Sequence, residues 1–286
     1  MEIFREPYGF QTYCAALDGG AALGFVPTMG ALHRGHLELV RASRQQDEVT
    51  AVSIFVNPTQ FGPSEDFDRY PRALEADCKM LEREGVQAVF APDAGTMYAP
   101  GGGSWIEVEG LSQRLDGASR PGHFRGVATV VFKLFQLAAP TRAYFGQKDA
   151  AQVAVIRRMI QDFFLPMELV VCPIVREPDG VAMSSRNALL NPDQRRAARA
   201  LARALRKLGE AYDAGERATA ELVEIGQAVI AAEPGLRLDY LVAADADTLL
   251  AVDRAAAGTL FAVAVYAGLT RLIDNAHIEP DGTFAL

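Results

Sequence analysis

His33 and His36 stand three apart around Gly35 in VPTMGALHRGHLELV, residues 26–40, directly behind the apolar run ALGFVPT. The chain has 4 histidines, and two of them share this turn. A strand that delivers Pro27, Thr28, Met29 and Gly30 into a helix opening near Ala31, Leu32, His33 and Arg34 sets both imidazoles one helical turn apart, toward one ligand. The first amides of a helix lack intrahelical partners and the macrodipole is positive there, so a phosphate is welcome. Gly35 lets such a group approach the backbone closely. Imidazoles at these positions donate to phosphate oxygens or protonate a leaving oxygen near neutral pH. A metal reading fails on count, because His123 and His277 lie at no diagnostic spacing from the pair. The competing structural reading packs both rings in the core.

A second constellation lies in VREPDGVAMSSRNALL, residues 175–190. Behind the turn EPDG, Met183, Ser184, Ser185 and Arg186 place two hydroxyls and a permanent cation on consecutive positions. Such groups suit a triphosphate whose charge builds as pyrophosphate leaves. The competing reading has the serines merely start a helix. An HxGH turn followed far downstream by Met-Ser-Ser-Arg resembles the HIGH and KMSKS signatures of class I aminoacyl-tRNA synthetases and related nucleotidyltransferases. The synthetases activate carboxylates as adenylates. Neither GxxxxGK[ST] nor GxGxxG is present, which removes support for a Walker NTPase or a dehydrogenase.

The elements that must carry these groups are legible in outline. Residues 22–28, 50–57, 86–92, 142–147 and 167–175 are apolar, partly β-branched runs of the kind buried in a parallel sheet. Between two of them, Phe124, Val127, Val131, Leu134 and Ala138 recur at helical steps over 123–138. Alternating strands and helices predict an α/β fold, a Rossmann-like doubly wound parallel sheet that binds ligands at the carboxyl ends of its strands. After about residue 175 the texture changes. Asn191 and Pro192 read as the cap and first position of a long helix striped by Leu201, Leu205 and Leu208. Arg195, Arg196, Arg199, Arg203 and Arg206 lie along it and read as a solvated face, not an RNA-binding one. A helix near 217–232 and antiparallel strands over 236–245 and 258–268 complete a smaller C-terminal α+β domain. The predicted division is 1–175 and 176–286.

With 50% hydrophobic and 22% charged residues and a net charge of −8, the 286-residue chain reads as a soluble protein that does not grip nucleic acid. Cys14, Cys78 and Cys172 form no zinc or disulfide pattern and read as free thiols in a reducing cytosol. No secretory signal and no membrane-spanning run is seen, and a cytoplasmic protein is expected.

VPTMGALHRGHLELVRAS, VSIFVNPTQFGPSEDFDRYPR, RPGHFRGVATVVFKLF, YFGQKDAAQ, VREPDGVAMSSRN and YAGLTRLIDN together resemble the pantothenate synthetase (pantoate–β-alanine ligase) family, in that family's order, over residues 26–275. The resemblance implies a homodimer in which the C-terminal domain acts as a lid. It also implies a two-step reaction. Pantoate and ATP with Mg²⁺ give pantoyl-adenylate and pyrophosphate, and β-alanine then yields pantothenate and AMP. Met29, Gly30, Ala31, Leu32, His33, Arg34, Gly35 and His36 correspond to the first ATP segment, with His36 as proton donor. Gly146, Gln147, Lys148 and Asp149 correspond to a second ATP segment, and Val175, Met183, Ser184, Ser185 and Arg186 to contacts from hinge and lid. Gln60 matches the glutamine that holds pantoate and lies close to β-alanine, and Gln152 matches a second pantoate glutamine.

Two glutamines satisfy pantoate's hydroxyls while leaving its carboxylate free to attack. Pro27, Met29 and Phe61 offer an apolar wall for its gem-dimethyl group. His33, His36, Lys148, Arg186 and Mg²⁺ are the groups available to offset transition-state charge. The chain departs from the family at Gln147, where a glutamate is usual, and at Ala151, where a glutamine is usual. Arg120 and His123 fall near the site with no assigned step. Asp77 reads as part of a solvated helix face, with a place near magnesium as the alternative. FVNPTQF reads as a dimer surface or as core. The rival function is a nucleotidyltransferase acting on a phosphorylated small-molecule acceptor, through the same HxGH turn.

Overall fold

The computed structural model describes residues 1–17, 20–63 and 67–286. Ser64, Glu65 and Asp66, within one of the resembling segments, lie outside the described residues. The chain divides into two units, Met1–Gly146 with Val155–Cys172, and Gln147–Ala154 with Pro173–Leu286.

In chain order the first unit runs β1 (Glu2–Phe4), α1 (Pro7–Ala15), β2 (Leu23–Thr28), α2 (Arg34–Gln46), β3 (Val49–Ile54), α3 (Leu74–Arg83) and β4 (Ala88–Phe90). Two single turns follow, α4 (Ala94–Met97) and α5 (Asp116–Ser119), then α6 (His123–Ala138) and β5 (Arg142–Gly146). Helix α7 (Ala150–Asp162), which belongs to this unit from Val155 on, and β6 (Glu168–Cys172) close it. The six strands pair in parallel in the order β1-β4-β3-β2-β5-β6. The α/β expectation is met. Strand order reverses at β2, whose neighbours are β3 and β5, so the crevice of this sheet opens at the carboxyl ends of β2 and β5.

Strands covered on both faces lose the polar half of their alternation. Val26, Val52, Val89 and Tyr144 pack with Leu39 and Val40 of α2 and Leu81 of α3. From the other face, Phe10 of α1 stacks on Phe90 at 4.9 Å and meets Phe25 at 6.1 Å. The stripe predicted for α6 (Phe124, Val127, Val131, Leu134, Ala138) is buried throughout. Each fully buried Leu, Val or Phe contributes about 1.5–3 kcal/mol.

Strand β3 ends at Ile54, short of the expected 57, because Asn57 caps the 3₁₀ turn Pro58–Gln60. Phe55, Asn57 and Gln60 are buried within the unit. Val56, Pro58, Thr59 and Phe61 of the same stretch are half-buried.

The amino-terminal edge of the sheet is held by Asp47, which follows α2. Its Oδ1 accepts from Arg142 Nη1 at 2.8 Å and its Oδ2 from the Tyr144 hydroxyl at 2.5 Å. Burial, reinforced by Asp47, pushes the Tyr144 phenol well above its ordinary pKa. Tyr144→Phe leaves the carboxylate short of one donor and is expected to cost about 1–3 kcal/mol in urea unfolding. Activity should not change, because this network lies at the end of the sheet away from the crevice.

The second unit contains α8 (Pro192–Asp213), α9 (Thr219–Ala231), β7 (Leu236–Asp245), β8 (Thr259–Ala267), β9 (Thr270–Ile278) and β10 (Phe284–Ala285). The strands form an antiparallel sheet in the order β10-β9-β8-β7. The Asn191 side chain accepts from Gln194 N–H and the Gln194 side chain from Asn191 N–H, a reciprocal cap that starts α8 at Pro192. Leu201, Leu205 and Leu208 pack against Leu222 and Ile230 of α9 and Leu241, Phe261 and Val263 of the sheet. On the outer face Arg195 and Arg199 pair with Asp179, Arg196 with Asp193 and Arg203 with Glu233. These arginines are answered by acids, as a solvated face requires.

Candidate active site

The turn after β2 is built to present two imidazoles. Gly30 and Ala31 both take positive φ, +80° and +50°. A side chain at Gly30 would come within 3.0 Å of Asp77 Oδ2 and Ile54 Cγ2. Ala31 is a non-glycine residue in the left-handed region, a strain of about 1–2 kcal/mol that its surroundings must sustain. Asp77 sustains it: Oδ2 accepts from Ala31 N–H and Oδ1 from Leu32 N–H, both at 2.8 Å. Asp77 is 1% exposed, in the first turn of α3. The solvated-face reading of Asp77 is therefore wrong. Burial raises its carboxyl pKa, and the two amide bonds oppose this only in part.

His33 caps α2 with its own ring. Its Nδ1 accepts from Gly35 N–H at 3.1 Å, and His36 Nδ1 accepts from His33 N–H at 3.3 Å. The rings lie 4.0 Å apart and 30° from parallel. An Nδ1 that accepts an amide proton is unprotonated, so in each neutral ring the proton sits on Nε2. Gly35, His36 and Leu37 amides are all used inside the turn. The expectation of bare amides for a phosphate is thus modified: three amides of this turn are used inside it, and each imidazole adds an Nε2–H donor. Both rings are half-buried, and Arg34 is exposed beside Glu38.

Gln60 is 8% exposed and held at both ends of its residue. Its Oε1 accepts from Asn57 Nδ2 at 3.0 Å, which sets the amide so that Nε2 points to Met29 Sδ at 2.9 Å. Asn57 is itself fixed, its Oδ1 accepting from Thr59 Oγ1 and from the Tyr98 hydroxyl, both at 2.9 Å. Gly126 makes the approach of α6 possible, since a Cβ there would sit 2.3 Å from the Thr59 carbonyl oxygen. Pro27, Met29 and Phe61 are half-buried in this unit.

In the second unit the Met-Ser-Ser-Arg segment follows a small hairpin in which Arg176 bridges Ala182 and Met183 N–H donates to Val175 O at 2.9 Å. Ser184 accepts from Arg186 N–H at 3.2 Å and starts a 3₁₀ turn, Ser185–Leu189. Its hydroxyl still has a proton to donate, so capping and ligand binding are compatible in one group. Two adjacent residues of β9 secure the loops. Asp274 takes Arg176 in a two-point pair at 2.7 and 3.0 Å. Burial pushes the Asp274 carboxyl up against the opposing pull of Arg176. Asn275 Nδ2 donates to the main-chain oxygens of Gln147 and Lys148, each at 2.9 Å.

The Gln147 side chain donates back to Asn275 Oδ1 at 3.2 Å. That contact needs a donor, which an amide has and an ionised glutamate lacks. The Lys148 side chain is 19% exposed, with Nζ 3.7 Å from Asp149 Oδ1. Gln152 is half-buried and Ala151 is 3% exposed.

The first unit thus brings Met29–His36 and Gln60 to one region, and the second holds Gln147, Lys148, Asp149, Val175 and Met183–Arg186. Sequence reasoning missed Asn57, Tyr98, Asp274 and Asn275 and misread Asp77. The available signal was a polar residue set among apolar ones: Asn57 behind VSIFV and the Asp-Asn pair inside β9. Among the described residues, no helix is long and apolar enough to cross a membrane and no group of three His, Cys, Asp or Glu is placed to hold a metal ion.

Residues 2–277 match the family described as pantoate-beta-alanine ligase. The chain is 59% identical to the pantothenate synthetase of Acidobacterium capsulatum over 90% of this chain and 86% of that one. It superposes on the crystal structure of pantothenate synthetase from Thermus thermophilus with a TM-score of 0.93 at 45% identity, covering 98% of this chain and all of that one. The pantoate-beta-alanine ligase of Francisella tularensis, crystallised with β,γ-ATP and β-alanine, matches with a TM-score of 0.79 at 34% identity, over 96% of this chain and 97% of that one. A match over nearly the whole chain places this protein in the pantoate–β-alanine ligase family.

Proposed function

We propose that this ligase condenses pantoate with β-alanine through pantoyl-adenylate, consuming ATP and releasing pyrophosphate and AMP. The observation that carries the reading is the His33–His36 pair, both rings fixed through Nδ1, in a chain matching the ligase family over residues 2–277. In the first step a pantoate carboxylate oxygen attacks the α-phosphorus and the bond to pyrophosphate breaks. His36 Nε2–H is the proton-bearing atom directed at the departing charge, with His33 beside it. Lys148 and Arg186 supply positive charge, and Ser184 and Ser185 hydroxyl donors, in a site where fixed charges outperform solvent. In the second step the neutral amine of β-alanine attacks the acyl carbon, AMP leaves, and the amine nitrogen gives up a proton. Magnesium, which no cluster of the described residues is placed to hold, would come with the nucleotide and would offset phosphate charge.

Gln60 and Gln152 are the pantoate residues in this reading, with Gln60 also beside β-alanine. Gln60 Nε2, oriented by Asn57, donates to a pantoate hydroxyl. Gln60→Ala strands that partner, and the pantoate KM should rise roughly 10- to 100-fold with the ATP KM near wild type. Equal effects on both would remove Gln60 from the pantoate site. The second unit acts as a lid in the same reading, and the enzyme is a cytoplasmic homodimer, in keeping with its three free cysteines. Incubation with ATP, Mg²⁺, pantoate and β-alanine, followed by mass spectrometry, tests the reaction. Pantothenate and AMP in equal amounts are expected, whereas a nucleotide-linked product would favour the nucleotidyltransferase.

A further inference from the structure

We propose that His123 is a positioning residue for Gln60, acting as the neutral Nδ1–H tautomer. His123 is the first residue of α6. Its Nδ1 lies 2.8 Å from the Gln60 main-chain oxygen and its Nε2 lies 3.0 Å from Arg120 Nη1. A carbonyl oxygen only accepts and a guanidinium only donates. Nδ1 therefore carries the proton, Nε2 is the acceptor, and the ring is neutral in one tautomer. Arg120 Nη2 reaches the same Gln60 oxygen at 3.3 Å, so the ring and the cation converge on one peptide.

That peptide follows the residue whose side chain faces Met29. Asn57 sets the orientation of the Gln60 amide, but nothing in that contact fixes where the Gln60 backbone stands. His123 does this, from the helix whose Gly126 abuts the Thr59–Gln60 peptide and accepts from Asn57 at 3.2 Å. The role rests on the reading of Gln60 as a pantoate residue. It gives the Arg-Pro-Gly-His-Phe-Arg-Gly segment a task without placing it in either chemical step.

Three variants test the inference by steady-state kinetics in ATP and in pantoate, with thermal melting as the control for folding. His123→Asn puts an amide donor where Nδ1 was, His123→Gln puts one nearer the position of Nε2, and His123→Ala removes both. The alanine and glutamine variants should raise the pantoate KM roughly tenfold or more while the ATP KM stays within about twofold. The asparagine variant should return the pantoate KM to within about threefold of wild type. An asparagine variant as impaired as alanine, or equal rises in both KM values, would overturn the inference. A fall in kcat with both KM values unchanged would also overturn it and make His123 a reacting group. Wild-type enzyme run in parallel separates the two levels: no pantoate-dependent turnover there refutes the functional reading itself, whereas normal wild-type turnover leaves only the positioning role at stake.

Discussion

His36→Ala cuts adenylate formation by roughly 10²- to 10⁴-fold and leaves the fold standing. The ring's Nδ1 takes the amide of His33, and losing this cap contact costs about 1 kcal/mol, a small part of a domain's stability. The loss in chemistry is larger. A positioned general acid contributes roughly 10²- to 10⁴-fold, equivalent to about 3–5 kcal/mol of barrier. Pyrophosphate–ATP exchange should fall by that factor while the melting temperature moves by a few degrees at most. His36→Gln, whose amide nitrogen reaches the Nε2 region without titrating, should recover binding of ATP and little of the rate. Wild-type turnover in the alanine variant would remove His36 from the mechanism.

Asp77→Ala is expected to damage both stability and catalysis, although Asp77 has no part in the chemistry. Its carboxylate is the acceptor for one buried and one part-buried amide and the support for Ala31 in its left-handed conformation. Each stranded amide costs about 1–3 kcal/mol, and removing a desolvated carboxylate returns part of that. The net loss should be about 2–4 kcal/mol in urea unfolding. Exchange activity should drop at least tenfold, because His33 and His36 are carried by the turn that Asp77 anchors. Asp77→Asn keeps one acceptor oxygen and should lie between.

The pH dependence of stability has a defined sign. Burial raises the folded pKa of Asp77 above its unfolded value. The folded state therefore binds more protons in that interval, and stability falls as pH rises through it, then levels off. The advantage of wild type over Asp77→Asn should be smallest at neutral pH and grow on acidification. Urea titrations across that interval check it, and an advantage that shrinks on acidification would contradict the assignment.

The parts of this molecule that announced themselves in sequence are those whose physics is local. Strand runs such as residues 236–245 and helix α6 were placed to the residue because burial on one or both faces writes a period into the chain. Asn191 and Pro192 gave the start of α8 by cap chemistry alone. The histidine turn was legible because a short motif carries its own geometry. Strand β9 was not, because Asp274 and Asn275 break its apolar pattern for the sake of partners remote in sequence, Arg176, Gln147 and Lys148. Asp77 failed for the same reason: in its helix it looks like one more surface acid, and only the fold brings Ala31 and Leu32 to it. The end of β3 at Ile54 was missed because Asn57, the residue that stops the strand, sits in an otherwise strand-like run.

Pyrophosphate–ATP exchange measured on the purified protein with Mg²⁺, in the presence and absence of pantoate and with β-alanine withheld, tests the central claim most directly. Exchange that requires pantoate, and gives way to AMP and pantothenate when β-alanine is added, is the predicted result. Exchange without pantoate, or none with it, would contradict carboxylate activation of pantoate at this site.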